Sequence, residues 1–195
     1  MTPASLITLS RIALIPLFMW AVMTTTPYSE VLALLIFIIA SITDAVDGYV
    51  ARRFNQVTNL GKFIDPLADK LLVTSALLMF VQSGQVSAIA AMIIISRELL
   101  VTSLRTVAMT AGKIIVAGWE GKIKTFVQIV CIAFLLTKQG VAELFEGTGI
   151  KWDDAAVWLM TAVTAWSGIA YIVKHIDVLR NTKPALAQEK NDEDI

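Results

Sequence analysis

The chain has 195 residues, of which 56% are hydrophobic and only 16% are charged, and its mean hydropathy is +0.71. A soluble domain usually carries about a quarter charged residues, so this composition favours membrane spans over a water-soluble domain. Sixteen basic and sixteen acidic residues give zero net charge, which argues against a nucleic-acid partner. The single cysteine, Cys131, excludes an internal disulfide framework and is expected to pack in an apolar run.

Six apolar stretches are long enough to cross a bilayer as helices, which takes about 20 residues each. In chain order they cover residues 6–25, 31–53, 61–82, 86–110, 122–138 and 154–176. The sequence therefore predicts an all-α integral membrane protein, a bundle of six transmembrane helices within residues 1–183. The remaining residues, 184–195, are polar and acidic and are predicted to be a disordered cytoplasmic tail.

Basic residues near the ends of the spans fall mostly on one side of the predicted membrane. If the N-terminus is cytoplasmic, that side carries Arg52, Arg53, Lys62, Lys113, Lys122, Lys124, Lys174, Arg180, Lys183 and Lys190. The other side receives only Lys138 and Lys151, together with five acidic residues. Because cytoplasmic loops are enriched in Lys and Arg, both termini are predicted to be cytoplasmic.

Four aspartates lie inside spans two and three, where ionisable residues are costly and mark functional sites. Asp44 and Asp47 share one helix face with Gly48, and Asp65 and Asp69 form a stripe on the next span. In a hairpin of the two spans, Asp47 lies level with Asp65 and Asp44 with Asp69. At 1.5 Å per residue, both tiers fall within about 8–15 Å of the cytoplasmic loop, close to the depth of the lipid phosphates.

Four carboxylates at this spacing require positive charge to compensate them. Hard oxygen ligands without clustered His or Cys favour Mg²⁺ or Mn²⁺ over zinc, and two such ions can clamp a phosphoryl group during in-line displacement. The alternative is that the aspartates pair with nearby basic residues, or form a proton or cation relay. Their arrangement on two facing stripes favours a metal site.

The run Asp44-x2-Asp47-Gly48-x2-Ala51-Arg52-x8-Gly61-x3-Asp65-x3-Asp69 resembles the signature of the CDP-alcohol phosphotransferases. Further segments are similar to bacterial members of that family whose acceptor is glycerol 3-phosphate, and the resemblance covers most of residues 1–180. These segments are residues 63–70, 96–105 and 121–125, and the N-terminal Thr8-x2-Arg11-x4-Pro16. The resemblance implies six transmembrane helices, a homodimer, and displacement of CMP from a CDP-linked donor by an alcohol in the presence of divalent metal.

The resemblance also implies roles for single residues of this chain. Asp44, Asp47 and Asp65 are expected to bind metal, and Asp69 is expected to lie at the metal site and act as general base for the acceptor hydroxyl. The expected contacts to CDP-diacylglycerol are Gly48, Ala51, Arg52 and Gly61.

Basic residues on spans four and five indicate an anionic acceptor. Arg97 and Arg105 are eight residues apart on one helix face, and Lys122 and Lys124 enter span five from the same cytoplasmic side. These four residues are predicted to hold the phosphate of sn-glycerol 3-phosphate. The alternatives are that Arg97 pairs with Glu98 or with an aspartate, and that the two lysines anchor the helix at the interface.

Two further residues are assigned by position. Arg11 either faces the site or extends to the membrane interface. His175, the only histidine, falls where span six leaves the membrane, and an interfacial role is expected rather than catalysis.

Together these patterns predict an enzyme of the cell membrane, with its active site facing the cytoplasm, that transfers a phosphatidyl group from CDP-diacylglycerol to glycerol 3-phosphate. The nearest alternative is the same chemistry with inositol phosphate, serine or phosphatidylglycerol as acceptor. A cation transporter would spread its acidic residues across the membrane depth, whereas the four aspartates gather near one face. An inactive lipid-binding relative would be expected to have lost one of them.

Overall fold

The computed structural model describes residues 3–24, 26, 28–54, 59–110, 118–137 and 151–180. Side chains are described within 10–24, 26, 28–43, 70–108, 118–137 and 151–176. Every regular element in these ranges is an α-helix, which confirms the predicted all-α class. The helices are α1 (Pro3–Met23), α2 (Ser29–Phe54), α3 (Asn59–Gln82), α4 (Ala88–Thr110), α5 (Trp119–Leu136) and α6 (Trp152–Arg180). The predicted tail at residues 184–195 lies outside the described residues.

Each predicted span corresponds to one of these helices, and the ends differ by at most four residues. Local chemistry explains the boundary between α3 and α4. Gly84 adopts a positive φ of 74° after the last turn of α3, a conformation that glycine accepts at little cost, and the Gln85 amide donates to the Phe80 carbonyl at 2.9 Å. The Ser87 hydroxyl then accepts a hydrogen bond from the Ala90 amide at 3.1 Å, which caps the first turn of α4.

The helices pack as two groups of three. Helix α1 packs against α2 and α3, while α4 and α5 both pack against α6. Contacts between α2 and α5 and between α3 and α4 join the two groups. Fully buried side chains from all six helices form a shared apolar core, among them Phe18, Phe37, Leu77, Ile94, Ile132 and Met160. Cys131 belongs to this core, as expected for a packing residue.

Only one helical segment among the described residues is long and apolar enough by itself to cross a membrane, Trp152–Ile176 of α6. Shorter apolar segments are Ser10–Met23, Ser29–Thr43 and Lys70–Gln82. Helices α4 and α5 each carry charged residues, which lowers their hydropathy although both have the length of a span. The six-span arrangement and the location of the termini remain predictions.

Large apolar side chains lie exposed on the outside of the bundle. They include Trp20, Ile89, Phe126, Trp158 and Ile169, which are 57% or more exposed. Soluble monomers rarely expose apolar surface over several helices, whereas lipid solvates such surface without cost. The outer surface of the described helices is thus suited to a bilayer.

Candidate active site

A cavity of about 680 Å³ lies among helices α1 to α6 on the side where α4 ends and α5 begins. Its described lining contains six basic and two acidic side chains. The basic ones are Arg11, Lys70, Arg97, Arg105, Lys122 and Lys124, and the acidic ones are Glu98 and Glu120. Six basic side chains in the described part of a cavity walled by apolar helices favour an anionic ligand.

All four residues predicted to hold the acceptor phosphate line this cavity. Lys124 is 6% exposed and lies inside the bundle. Arg105 turns its Nε atom into a buried position that has no hydrogen-bond partner among the described residues. Lys122 is exposed, and its ammonium lies 4.7 Å from the centre of the Trp119 ring. Lys122 therefore lies at the edge of the cavity, whereas Lys124 and Arg105 lie within it.

Glu98 is the centre of a charged cluster that joins three helices. Its carboxylate contacts the Lys70 ammonium of α3 at 3.1 Å, the Arg97 guanidinium at 3.5 Å and the Lys124 ammonium of α5. The carboxylate side chain is 13% exposed. One carboxylate shared by three cations leaves surplus positive charge, and a single buried anion of this kind holds its partners in place. The sequence left open that Arg97 pairs with Glu98 instead of holding the acceptor phosphate. This pair is observed, and it lies within the predicted site.

Two small residues of α6 position the Arg97 side chain. The guanidinium Nη2 donates to the Ser167 hydroxyl at 2.8 Å, and that hydroxyl donates to the Glu120 carbonyl at 3.1 Å. A Cβ atom on Gly168 would lie 2.7 Å from the Arg97 Cγ atom, closer than side chains pack. The arginine stem passes over the α6 backbone only because Gly168 has no side chain. Arg97 also borders a smaller apolar depression between α4 and α6, about 350 Å³ in volume.

Arg11 is buried, with 2% exposure, and lines the cavity. The sequence left open whether Arg11 faces the site or extends to the membrane interface, and the structure supports the position that faces the site. His175 lies at a kink in α6, where its φ is −117°, and its ring is 4.5 Å from the ring of Tyr171. The cavity lining includes Tyr171 but not His175.

The backbone places the four aspartates on two helices that border the cavity. Asp44 and Asp47 lie in α2, and Asp65 and Asp69 lie in α3. Ser41, three residues before Asp44, and Lys70, directly after Asp69, both line the cavity. The side chains of the aspartates lie outside the described residues, as do those of Gly48, Ala51, Arg52 and Gly61. The described side chains form no cluster of three or more His, Cys, Asp or Glu.

Several residues of the cavity were not assigned a role from the sequence. Gln128, Ser167 and Tyr171 line the cavity, and Gly168 shapes it. A sequence signal was available for Gln128, because it is polar in an apolar run and lies four residues after Lys124, on the same helix face. No such signal marked the pair at 167 and 168, because small residues are common wherever membrane helices pack closely.

Comparisons with known proteins identify relatives over most of the chain. The family model for CDP-alcohol phosphatidyltransferases matches residues 1–170. A Bacillus subtilis (strain 168) protein named CDP-diacylglycerol–glycerol-3-phosphate 3-phosphatidyltransferase is 42% identical over 188 residues, covering 90% of this chain and 96% of its own. Proteins of the same name from Escherichia coli (strain K12) and Rickettsia bellii (strain RML369-C) are 35% and 33% identical. These two matches cover 86% and 85% of this chain, and 91% and 90% of their own.

The match extends over the aspartate-bearing helices and the helices that supply the basic cavity residues. It confirms the resemblance drawn from the aspartate signature. The chain belongs to the CDP-alcohol phosphatidyltransferase family.

Proposed function

We propose that this chain transfers the phosphatidyl group of CDP-diacylglycerol to sn-glycerol 3-phosphate, forming phosphatidylglycerophosphate and CMP. It is a transferase of phospholipid biosynthesis, as its family and the names of its relatives indicate. The single observation that carries the choice of acceptor is the set of six basic side chains in the described part of the cavity lining. An acceptor with a phosphate of its own can pair with these cations, whereas serine has no phosphate to offer them.

In this proposal the basic cavity residues bind and orient the acceptor. Lys124 and Arg105 hold its phosphate inside the cavity, and Arg97 adds a guanidinium whose direction is set by Ser167 and Glu98. Lys122, at the exposed edge, attracts the incoming anion. A fixed orientation keeps the reacting hydroxyl near the donor phosphorus, which lowers the entropic cost of the reaction.

The transfer itself exchanges one phosphorus–oxygen bond for another. The acceptor hydroxyl oxygen forms a bond to the phosphorus that carries diacylglycerol, and the bond from that phosphorus to the CMP oxygen breaks. Asp69 takes the proton from the hydroxyl as general base. CMP leaves with the electron pair, and Arg52 balances negative charge on the diphosphate.

Asp44, Asp47, Asp65 and Asp69 are the residues that would hold divalent metal. Carboxylate oxygens are the donor set that Mg²⁺ and Mn²⁺ prefer, and four of them on two adjacent helices suit a pair of ions. When bound, the metal supplies positive charge to the diphosphate of the donor. Gly48, Ala51 and Gly61 would leave room for the cytidine diphosphate next to the helix backbones.

The proposal also places the chain in the cell membrane as a six-span protein with the active site toward the cytoplasm. Two observations support it: the exposed apolar side chains of the outer surface, and the gathering of basic residues on one side of the predicted spans. A lipid donor enters from the bilayer, so the site must open laterally between helices. Family resemblance adds a homodimer, which cross-linking in native membranes would detect.

A reconstituted assay tests the reaction. Purified protein in mixed micelles receives CDP-diacylglycerol, Mg²⁺ or Mn²⁺, and one acceptor at a time: glycerol 3-phosphate, inositol phosphate, serine or phosphatidylglycerol. CMP release is expected with glycerol 3-phosphate and only with divalent metal present. Absence of CMP release with every acceptor would refute the enzyme proposal, and release with inositol phosphate alone would refute only the choice of acceptor.

Asp69→Asn tests the proposed base. Loss of general-base catalysis is expected to lower kcat by about 10²- to 10⁴-fold, with the folded protein still recovered. Asp154→Asn is the matched control, because Asp154 is exposed in the first turn of α6, far along that helix from the cavity residues Ser167 and Tyr171. The control is expected to retain activity within about twofold, since surface substitutions cost little.

A further inference from the structure

Gln128 and Tyr171 line the cavity, and each carries a buried polar atom that has no hydrogen-bond partner among the described residues. These atoms are the Gln128 amide nitrogen and the Tyr171 hydroxyl. Gln128 is 2% exposed. A buried amide without a partner costs free energy, above all inside a membrane protein. Such groups are rare in native structures and call for an explanation at each position, and a ligand in the cavity provides one.

We infer that Gln128 recognises the acceptor by donating a hydrogen bond from its amide nitrogen to the secondary hydroxyl of glycerol 3-phosphate. This inference rests on the proposed function and deepens it. The basic residues select for a phosphate, but they do not distinguish one small phosphorylated alcohol from another. Gln128 supplies that distinction as an uncharged donor next to the charged residues.

The register of α5 supports this assignment. Gln128 lies four residues after Lys124, so both side chains lie on one helix face about 6 Å apart along the axis. Both are buried and both line the same cavity. A phosphate held at Lys124 leaves the next carbons of the acceptor beside the following helical turn, where Gln128 lies.

The chemistry of the acceptor selects which hydroxyl is bound. The primary hydroxyl must remain free to lose its proton and attack phosphorus. The secondary hydroxyl takes no part in the bond exchange, so it is available as a hydrogen-bond acceptor for a fixed amide. Tyr171 is the competing donor, but its ring lies against His175 on α6, at 4.5 Å between ring centres.

The test compares two acceptors that differ only in this hydroxyl. The phosphate monoester of 1,3-propanediol keeps the phosphate and the primary hydroxyl of glycerol 3-phosphate and lacks the secondary one. The wild-type chain is expected to prefer glycerol 3-phosphate by about tenfold in kcat/KM, the size of one well-placed hydrogen bond. Gln128→Met, similar in volume and without the amide, is expected to lower kcat/KM for glycerol 3-phosphate about tenfold. The diol phosphate is expected to stay within about twofold, so the preference disappears.

Thr164→Val is the matched control. Thr164 is 1% exposed and its hydroxyl also lacks a partner among the described residues, but it does not line the cavity. This variant is expected to keep the acceptor preference of the wild type. If Gln128→Met fails to fold, Gln128→Asn is measured in the same way, because its shorter side chain withdraws the donor while staying polar.

Four outcomes would overturn the inference. A wild-type preference for glycerol 3-phosphate below about twofold would show that no residue recognises the secondary hydroxyl. This measurement requires no variant. An equal loss with both acceptors in the Gln128 variants would indicate a structural role. Loss of the preference in Tyr171→Phe, with Gln128→Met unchanged, would assign recognition to the tyrosine. CMP release from neither acceptor by the wild type would refute the proposed function, and this inference with it, whereas the first three outcomes leave the function intact.

Discussion

The helices of this protein are held together by different interactions at their two ends. In the cavity half, defined by the described cavity-lining residues, charged side chains meet around Glu98. In the apolar half, defined by the core around Phe18, Phe37, Leu77, Ile132 and Met160, buried side chains pack without charge. All six described helices contribute to both halves. The apolar half supplies packing, so that the cavity half can hold the basic side chains of its described lining ready for a ligand.

The largest effect is expected from removing the carboxylate at the centre of the cavity half. Glu98→Gln leaves Lys70, Arg97 and Lys124 without their shared anion. Breaking a buried ion pair by removing one partner costs about 3–5 kcal/mol of unfolding free energy. KM for glycerol 3-phosphate is expected to rise as well, because the cations move apart. Detergent-denaturation midpoints and acceptor titrations measure the two effects.

Glu120→Gln is the control for this variant. Glu120 pairs with Lys174 at 3.8 Å, and the two side chains are 32% and 60% exposed. An exposed pair of this kind contributes about 0–1 kcal/mol. Equal destabilisation by the two substitutions would contradict a special role for Glu98 and the division of the bundle into two halves.

A smaller effect, confined to stability, is expected in the apolar half. Leu77→Ala removes a fully buried side chain, and such substitutions cost about 2–5 kcal/mol. The neighbouring Leu78 is 54% exposed, so Leu78→Ala is expected to cost about 0.5 kcal/mol or less. Neither variant is expected to change KM for glycerol 3-phosphate when activity is measured below the melting temperature of the variant protein. A raised KM in Leu77→Ala would show that the two halves are coupled.

The smallest of these effects is expected where α6 meets Arg97. Gly168→Ala places a Cβ atom 2.7 Å from the Arg97 Cγ atom, and overpacking of this kind costs about 1–3 kcal/mol. Displacement of the guanidinium is expected to raise KM for glycerol 3-phosphate more than KM for CDP-diacylglycerol.

Arg97→Ala provides the background that isolates this contact, because it removes the Cγ atom. In that background, Gly168→Ala is expected to have no further effect on KM for glycerol 3-phosphate. Additive losses in the double variant would mean that Gly168 acts through α6 packing rather than through Arg97.

The sequence predicted the fold class and the helices well, because each predicted span is a mostly apolar stretch bounded by turn residues. It also predicted that Arg97, Arg105, Lys122 and Lys124 share one site, and in the structure all four line one cavity. Burial of charge inside a span is costly, so such residues stand out without any knowledge of the fold. The assigned roles of these residues, and the aspartate site, remain predictions.

Other features depend on contacts between distant helices, which the periodicity of one helix does not encode. Ser167 and Arg97 are 70 residues apart and meet only when α4 packs against α6. The buried position of Arg11 likewise follows from packing between helices. Residue spacing predicts which side chains share a face, but not which neighbour that face meets.

The close approach of Arg97 to Gly168 bears on how natural variation in α6 is interpreted. Judged by hydropathy alone, replacing glycine with alanine in a membrane helix is neutral or favourable. A survey of variants based on hydropathy would therefore classify the substitution as having no effect. At this position the exchange fills space that the arginine stem occupies. The positions of α6 that tolerate substitution are therefore expected to depend on where a side chain from another helix contacts α6, rather than on the solubility of α6 in lipid.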